Sequence, residues 1–177
     1  MHPIAHAATR PDHPAVIMSG SGATMTYGEL EREANRFARL LRSRGMGQPR
    51  TVGETFAVLL ENRPEYYVLA WGSQRVGTML VPVSTRLTGP EISYILTDAE
   101  AKILVTSTRF TEMLGPIRAQ CPDLEILVLD SGEADDIAAE MATHSAEAIE
   151  DQQAGQIMLY TSGTTGRPKG VVHTQSS

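Results

Sequence analysis

Four short apolar runs, residues 55–60 (TFAVLL), 79–83 (MLVPV), 103–106 (ILVT) and 126–129 (ILVL), alternate along the chain with amphipathic stretches. Runs this short and apolar at nearly every position suit strands buried on both faces, and the stretches between them are long enough for crossover helices. The order strand–helix–strand–helix–strand–helix–strand therefore predicts an α/β fold, a mainly parallel sheet with flanking helices. The 177 residues are enough for one such unit with a real core. No internal repeat or coiled-coil heptad competes with this reading.

Local signals place the helices. Thr26 with Glu29 three residues later is a capping-box pattern, in which each side chain satisfies the other's backbone N–H. Leu30, Ala34, Phe37, Ala38 and Leu41 follow at helical spacing, and Gly45 is a suitable stop. Ahead of this helix, residues 15–18 and 24–27 flank a Ser/Gly turn and predict a hairpin. Pro64 suits the first turn of a second helix, expected to reach about Val76 and end at Gly77. Pro82 is expected at the end of its strand, because it has no N–H for the ladder. Thr88-Gly89-Pro90-Glu91 repeats the helix-start signature ahead of the stripe Ile92, Ile95, Leu96. Residues 108–119 predict a further helix, and residues 14–129 together form the α/β core.

Composition excludes several classes. No apolar run approaches ~18 residues, so no transmembrane segment is expected. The opening MHPIAHAATRPDHP lacks the basic-then-apolar order of a secretory signal. A single cysteine, Cys121, allows no internal disulfide and no multi-cysteine zinc site, which fits a reducing cytoplasm. It precedes Pro122 at an expected helix exit, so a buried structural role is expected for it. The net charge is −6, yet residues 119–166 hold ten acids and no Lys or Arg, leaving 15 bases against 11 acids elsewhere. The scattered arginines form no nucleic-acid footprint. Residues 130–153 read as an acidic surface segment, solvated, with a helix around 137–141.

The chemistry concentrates near the end of the sequence. A strand-like run at 156–160 leads into Thr161-Ser162-Gly163-Thr164-Thr165-Gly166-Arg167-Pro168-Lys169-Gly170, and Val171-Val172-His173 resumes a strand pattern within a unit spanning 156–174. Three glycines permit close backbone approach to a ligand, and four hydroxyls add rotatable donors. Successive N–H groups can form an anion nest. Lys169, one of only two lysines with Lys102, adds positive charge. These parts suit a polyphosphate. They do not form a Walker loop: the position five after Gly163 is Pro168, no Gly-Lys-Ser/Thr exists, and a strand follows rather than a helix. The alternative on pattern alone is a Gly/Ser/Thr-rich surface turn.

The stretch YTSGTTGRPKGVVHT closely resembles the phosphate-binding signature of the adenylate-forming (AMP-binding) superfamily, which includes acyl-CoA synthetases, peptide-synthetase adenylation domains and luciferases. Two upstream stretches are also similar to the family, MTYGELEREANRFARLLRSRG and LLENRPEYYVLAWGSQRVGTMLVPVSTRLTGPEISYIL, the second to fatty-acyl and related acyl-CoA ligases. The resemblance implies the N-terminal portion of the large lobe of such an enzyme. It implies activation of a carboxylic acid, fatty or otherwise hydrophobic, as an acyl-adenylate, with ATP, Mg²⁺ and CoA as the complete enzyme's cofactors. Thr161, Ser162, Gly163, Thr164, Thr165, Gly166 and Lys169 would bind the β- and γ-phosphates of ATP. The pattern departs from the family after His173-Thr174, and the family's adenine and ribose motifs, acyl pocket, Mg²⁺ ligand and C-terminal catalytic lysine have no counterpart in the 177 residues. No catalytic residue and no metal ligand is therefore assigned here, and the chain by itself is expected to be inactive. Surface that such missing parts would cover is expected to favour a homodimer. A stand-alone phosphate-binding module and a peptide-synthetase adenylation domain are the alternatives.

Overall fold

The computed structural model describes residues 3–47, 53–132, 136–161 and 168–173. A short helix, α1 (Pro3–Thr9), buries none of its residues and precedes an antiparallel hairpin of β1 (Pro14–Ile17) and β2 (Thr24–Thr26). Thr26 then caps α2 (Tyr27–Ser43). Its hydroxyl accepts from the Glu29 N–H at 3.2 Å, and the Glu29 carboxylate accepts from the Thr26 N–H at 2.8 Å. Two otherwise orphaned donors are thereby satisfied, and the helix starts where the sequence predicts.

The alternating region follows as β3 (Thr55–Leu59), α3 (Glu65–Gln74), β4 (Met79–Pro82), α4 (Gly89–Asp98), β5 (Ile103–Ser107), α5 (Thr111–Gln120) and β6 (Glu125–Leu129). Then come α6 (Ile137–Ala142), β7 (Gln156–Thr161) and β8 (Lys169–His173). The last six strands form one sheet in the order β6-β5-β3-β4-β7-β8, parallel throughout except for the β7–β8 pair. The mainly parallel α/β class expected from the alternation is the class observed.

Two helix boundaries differ from expectation, and β8 starts at Lys169 rather than at Val171 because Thr161↔Lys169 and Tyr160↔Gly170 extend the ladder. Helix α3 stops at Gln74, short of Val76, because the Val76 N–H bonds to Ser73 O at 3.2 Å, a three-residue spacing that tightens the last turn. Gly77 then adopts φ 70°, the left-handed conformation that turns the chain into β4. The helix expected over 108–119 begins with a 3-10 turn, Thr108–Phe110, before α5.

Handedness decides where the helices lie. Parallel crossovers are right-handed, so steps in opposite directions along a sheet put their helices on opposite faces. The step β3→β4 runs one way and β4→β5→β6 the other, and the core divides accordingly. Phe56, Val58, Leu80, Ile103, Val105 and Leu127 pack with α2, α3 and α6. Their sequence neighbours Ala57, Leu59, Val81, Leu104, Ile126 and Val128 pack with α4 and α5. This is the period of two expected of strands covered on both sides.

The acidic stretch is more than a solvated surface. Ile137, Met141 and Ile149 are buried in the first core layer, so the segment packs across α2 as a strap. The arginines of α2 hold it from outside. Arg36 donates to the carbonyls of Ala142 and His144 at 2.7 and 2.9 Å, Arg42 pairs with Asp151 at 2.6 Å, and Arg44 grips both oxygens of Glu140 at 2.5 and 2.7 Å. Part of the local charge imbalance in the sequence is thus answered by α2 and its C-cap Arg44, while Asp130 pairs with Arg63 at 2.7 Å. Arg75 is a buried charge, its side chain 2% exposed, and it is held by a bidentate pair with Glu31 at 2.7 and 2.6 Å and by the Asn35 side-chain oxygen. Cys121 is half-buried at the end of α5, its Sγ 3.6 Å from Thr97 Oγ1 and 3.8 Å from Ser93 O.

Candidate functional site

The expected phosphate stretch leaves the sheet from β7 and returns along β8. The two strands pair antiparallel in the register Ile157↔His173, Met158↔Val172, Leu159↔Val171, Tyr160↔Gly170 and Thr161↔Lys169. Thr161 and Lys169, eight positions apart in sequence, are thus direct cross-strand neighbours, and both are exposed. Of the other expected ligand-binding residues, Ser162, Gly163, Thr164, Thr165 and Gly166 lie outside the described residues. Among the described residues Lys169 takes part in no ion pair, whereas the second lysine, Lys102, is paired with Glu54. An ammonium group beside a hydroxyl, both open to solvent, suits an anionic ligand.

The root of the hairpin is stitched to the end of α3 and to the residue that leads into β4. Gly155 N–H bonds to Gln74 O at 3.0 Å and Gln156 N–H to Thr78 O at 3.1 Å. Pairing of β7 with β4 is brief, Met79↔Gln156 and Leu80↔Ile157. From Met158 onward, β7 is paired only with β8 among the described residues.

The outer half of the hairpin instead rests on α4. Tyr160 donates its hydroxyl hydrogen to Asp98 Oδ2 at 2.7 Å, and Tyr94 donates to Pro168 O at 3.3 Å. Burial together with the Asp98 carboxylate pushes the Tyr160 phenol well above its ordinary ionisation range, because a phenolate there would be both desolvated and repelled. Gly170 makes this packing possible. A Cβ at that position would lie 2.8 Å from Met158 Sδ and 3.2 Å from the Tyr160 ring. The third glycine of the motif therefore has a packing reason of its own.

Tyr94 and Asp98 were not singled out from the sequence. Their partners lie 74 and 62 residues away, and neither belongs to the apolar stripe that defines α4. No group of three His, Cys, Asp or Glu side chains able to hold a metal ion is present among the described residues.

Comparison with known proteins places this geometry. The family model described as AMP-binding enzyme matches residues 4–177. The long-chain-fatty-acid–CoA ligase FadD13 of Mycobacterium tuberculosis is 34% identical over 174 residues, covering 97% of this chain and 34% of the relative. The fatty acid–(acyl-carrier-protein) ligase ScoC of Streptomyces coeruleorubidus is 36% identical over 173 residues, covering 94% of this chain and 31% of the relative. The inhibitor-bound crystal structure of the N-terminal domain of FACL13 from Mycobacterium tuberculosis superposes with a TM-score of 0.82 at 31% identity, covering 97% of this chain and 43% of that one. The chain spans about a third of the length of the two ligases. With residues 4–177 matched, the alternating sheet superposed and the loop motif carried between β7 and β8, the chain belongs to the AMP-binding enzyme family.

Proposed function

We propose that this chain forms the N-terminal part of an ATP-dependent acyl-CoA ligase, and that its β7–β8 hairpin carries the loop that binds the β- and γ-phosphates. The observation that carries this reading is the sheet register that sets Thr161 and Lys169, which flank the sequence SGTTGRP, side by side. In the first half-reaction a carboxylate oxygen attacks the α-phosphorus of ATP. The bond from that phosphorus to the bridging oxygen breaks, and pyrophosphate leaves with the electron pair. In the second, the CoA thiolate attacks the acyl carbon and AMP departs. The charge gathering on pyrophosphate is what Lys169 and the loop hydroxyls would stabilise.

The acid is proposed to be fatty or otherwise hydrophobic, after the substrates named for the two ligases. Those names differ in the thiol, CoA for one and an acyl carrier protein for the other, and CoA is the acceptor proposed here. A cytoplasmic location belongs to the same reading. So does pairing of two copies of the isolated chain through the hairpin face turned away from α4, where the cross-strand neighbours Leu159 and Val171 are exposed.

Acid-dependent exchange of pyrophosphate into ATP tests the proposal. In the complete ligase, Lys169→Ala is expected to lower exchange by about 10²-fold, expressed through ATP rather than through the acid. Unchanged kinetics would overturn the loop assignment. The 177 residues alone are expected to show no exchange, because a phosphate loop without adenine and acyl sites cannot position the reactants. Measurable exchange by that chain would overturn this second part.

A further inference from the structure

We propose that Tyr94 and Asp98 of α4 are positioning residues for the phosphate site, holding the two strands that present Thr161 and Lys169 at a fixed place over the body of the fold. The inference rests on the phosphate-binding reading of that hairpin and adds to it the element that aligns it.

Backbone pairing fixes only the root. Strand β7 leaves β4 after Ile157, and β8 is the edge strand of the sheet, so the outer half of the ladder could swing as a unit about that root. Two side-chain ties prevent this, one on β7 and one on the residue that leads into β8. Tyr160, immediately before Thr161, donates to Asp98, and Pro168, immediately before Lys169, accepts from Tyr94. The phenol–carboxylate contact is charge-assisted and short, 2.7 Å, which makes it the stronger of the two.

The tie points are themselves immobile. Residues 94 and 98 stand one turn apart on α4, so they face the same way. Ile92, Ile95 and Leu96 bury that helix in the second core layer. Its start is fixed by the Glu91 carboxylate, which accepts from both the N–H and the hydroxyl of Thr88 at 2.8 and 2.7 Å. Gly170 completes the fit by letting Met158 and Tyr160 pack against β8 without a Cβ between them. None of these groups needs to touch the nucleotide. Their effect comes through geometry, and a misplacement of about 1 Å at a reacting centre can cost ~10²-fold in rate.

The test compares variants of the complete ligase in acid-dependent ATP–pyrophosphate exchange, with ATP and acid varied separately and thermal midpoints recorded. Asp98→Ala is expected to raise the KM for ATP by about fivefold to tenfold and to leave the KM for the acid unchanged. Asp98→Asn keeps an oxygen acceptor for the Tyr160 hydroxyl and should recover most of that loss. Tyr94→Phe removes a longer, neutral contact and should raise the KM for ATP by about threefold with no change in thermal midpoint. Lys169→Ala is run beside them as the control for the reading itself. If Lys169→Ala loses ATP use while Asp98→Ala and Tyr94→Phe keep the parent's KM for ATP, the positioning role is wrong and the phosphate reading stands. If Lys169→Ala also matches the parent, the phosphate reading is wrong. A loss shared equally between ATP and acid, with a lowered midpoint and no recovery in Asp98→Asn, would reduce the ties to general stability and overturn the proposal.

Discussion

Strands β3 and β5 have every residue buried, whereas β7 and β8 run half in the open, with Leu159 39% exposed and Val171 44% exposed. The first pair lies between two helical layers, and each of its side chains removes apolar surface from water. The second pair has a helix against one side and solvent on the other. Stability therefore concentrates in the centre of the sheet, while Thr161 and Lys169 sit exposed on its edge hairpin. A site on such an edge must obtain its precision from a small number of specific ties.

The largest effect should come from the centre. Phe56→Ala removes a fully buried ring whose centroid lies 5.6 Å from that of Phe37, and it should cost about 3–5 kcal/mol in urea unfolding. A loss below about 1 kcal/mol would break the comparison, since the centre would then be no more critical than the edge.

Intermediate effects should separate the regions by pH. The strap over α2 is held by Glu140 and Asp151, whose carboxyls lie below their ordinary range because Arg44 and Arg42 donate to them. A lowered folded value means that this contribution is present above the unfolded value and is lost on acidification. The strap should loosen as pH falls through about 4 and below. Tyr160 has a raised value, so its contribution is present below the unfolded value and is lost as pH climbs past about 10. Amide spectra followed at both extremes should show residues around Glu140 shifting first in acid and residues around Tyr160 first in alkali. The reverse order, or simultaneous change, would show that the two regions do not loosen independently.

The smallest effect is expected at the outer strand. Val172, 39% exposed, should tolerate Val172→Thr within about 0.5 kcal/mol in the same unfolding experiment. A larger loss would show that β8 is covered in solution.

Much of the body was legible because its signals are local. The capping residues Thr26 and Thr88, the apolar stripe on α2 and the uninterrupted apolar strands all follow from physics acting within a few residues. Helix α1 gave no signal because it buries nothing and so has no apolar face to recognise. The strap read as solvated because its anchors, Ile137, Met141 and Ile149, are too few and too widely spaced to stand out from its acids. For the candidate site, the motif from Thr161 to Lys169 was readable as a chemical inventory, and the hairpin as two strand-like flanks. Its supports were not readable. Tyr94 and Asp98 meet the hairpin only through the crossover that carries α4 to that side of the sheet, and no short-range pattern encodes such a meeting.

The placement of helices on opposite sides of the sheet has a practical consequence for anyone who would re-engineer this chain. The layer of α2, α3 and α6 includes Phe37, Leu40 and Leu41 but supplies neither hydroxyl tie to the hairpin, so, apart from the end of α3 where Gln74 O receives the Gly155 N–H, it can be redesigned for robustness with little risk to ligand alignment. The layer of α4 and α5 cannot be treated so freely, because a shift of α4 along its own axis would move both tie points together. The sheet thus separates a side that can be optimised from a side that must be copied.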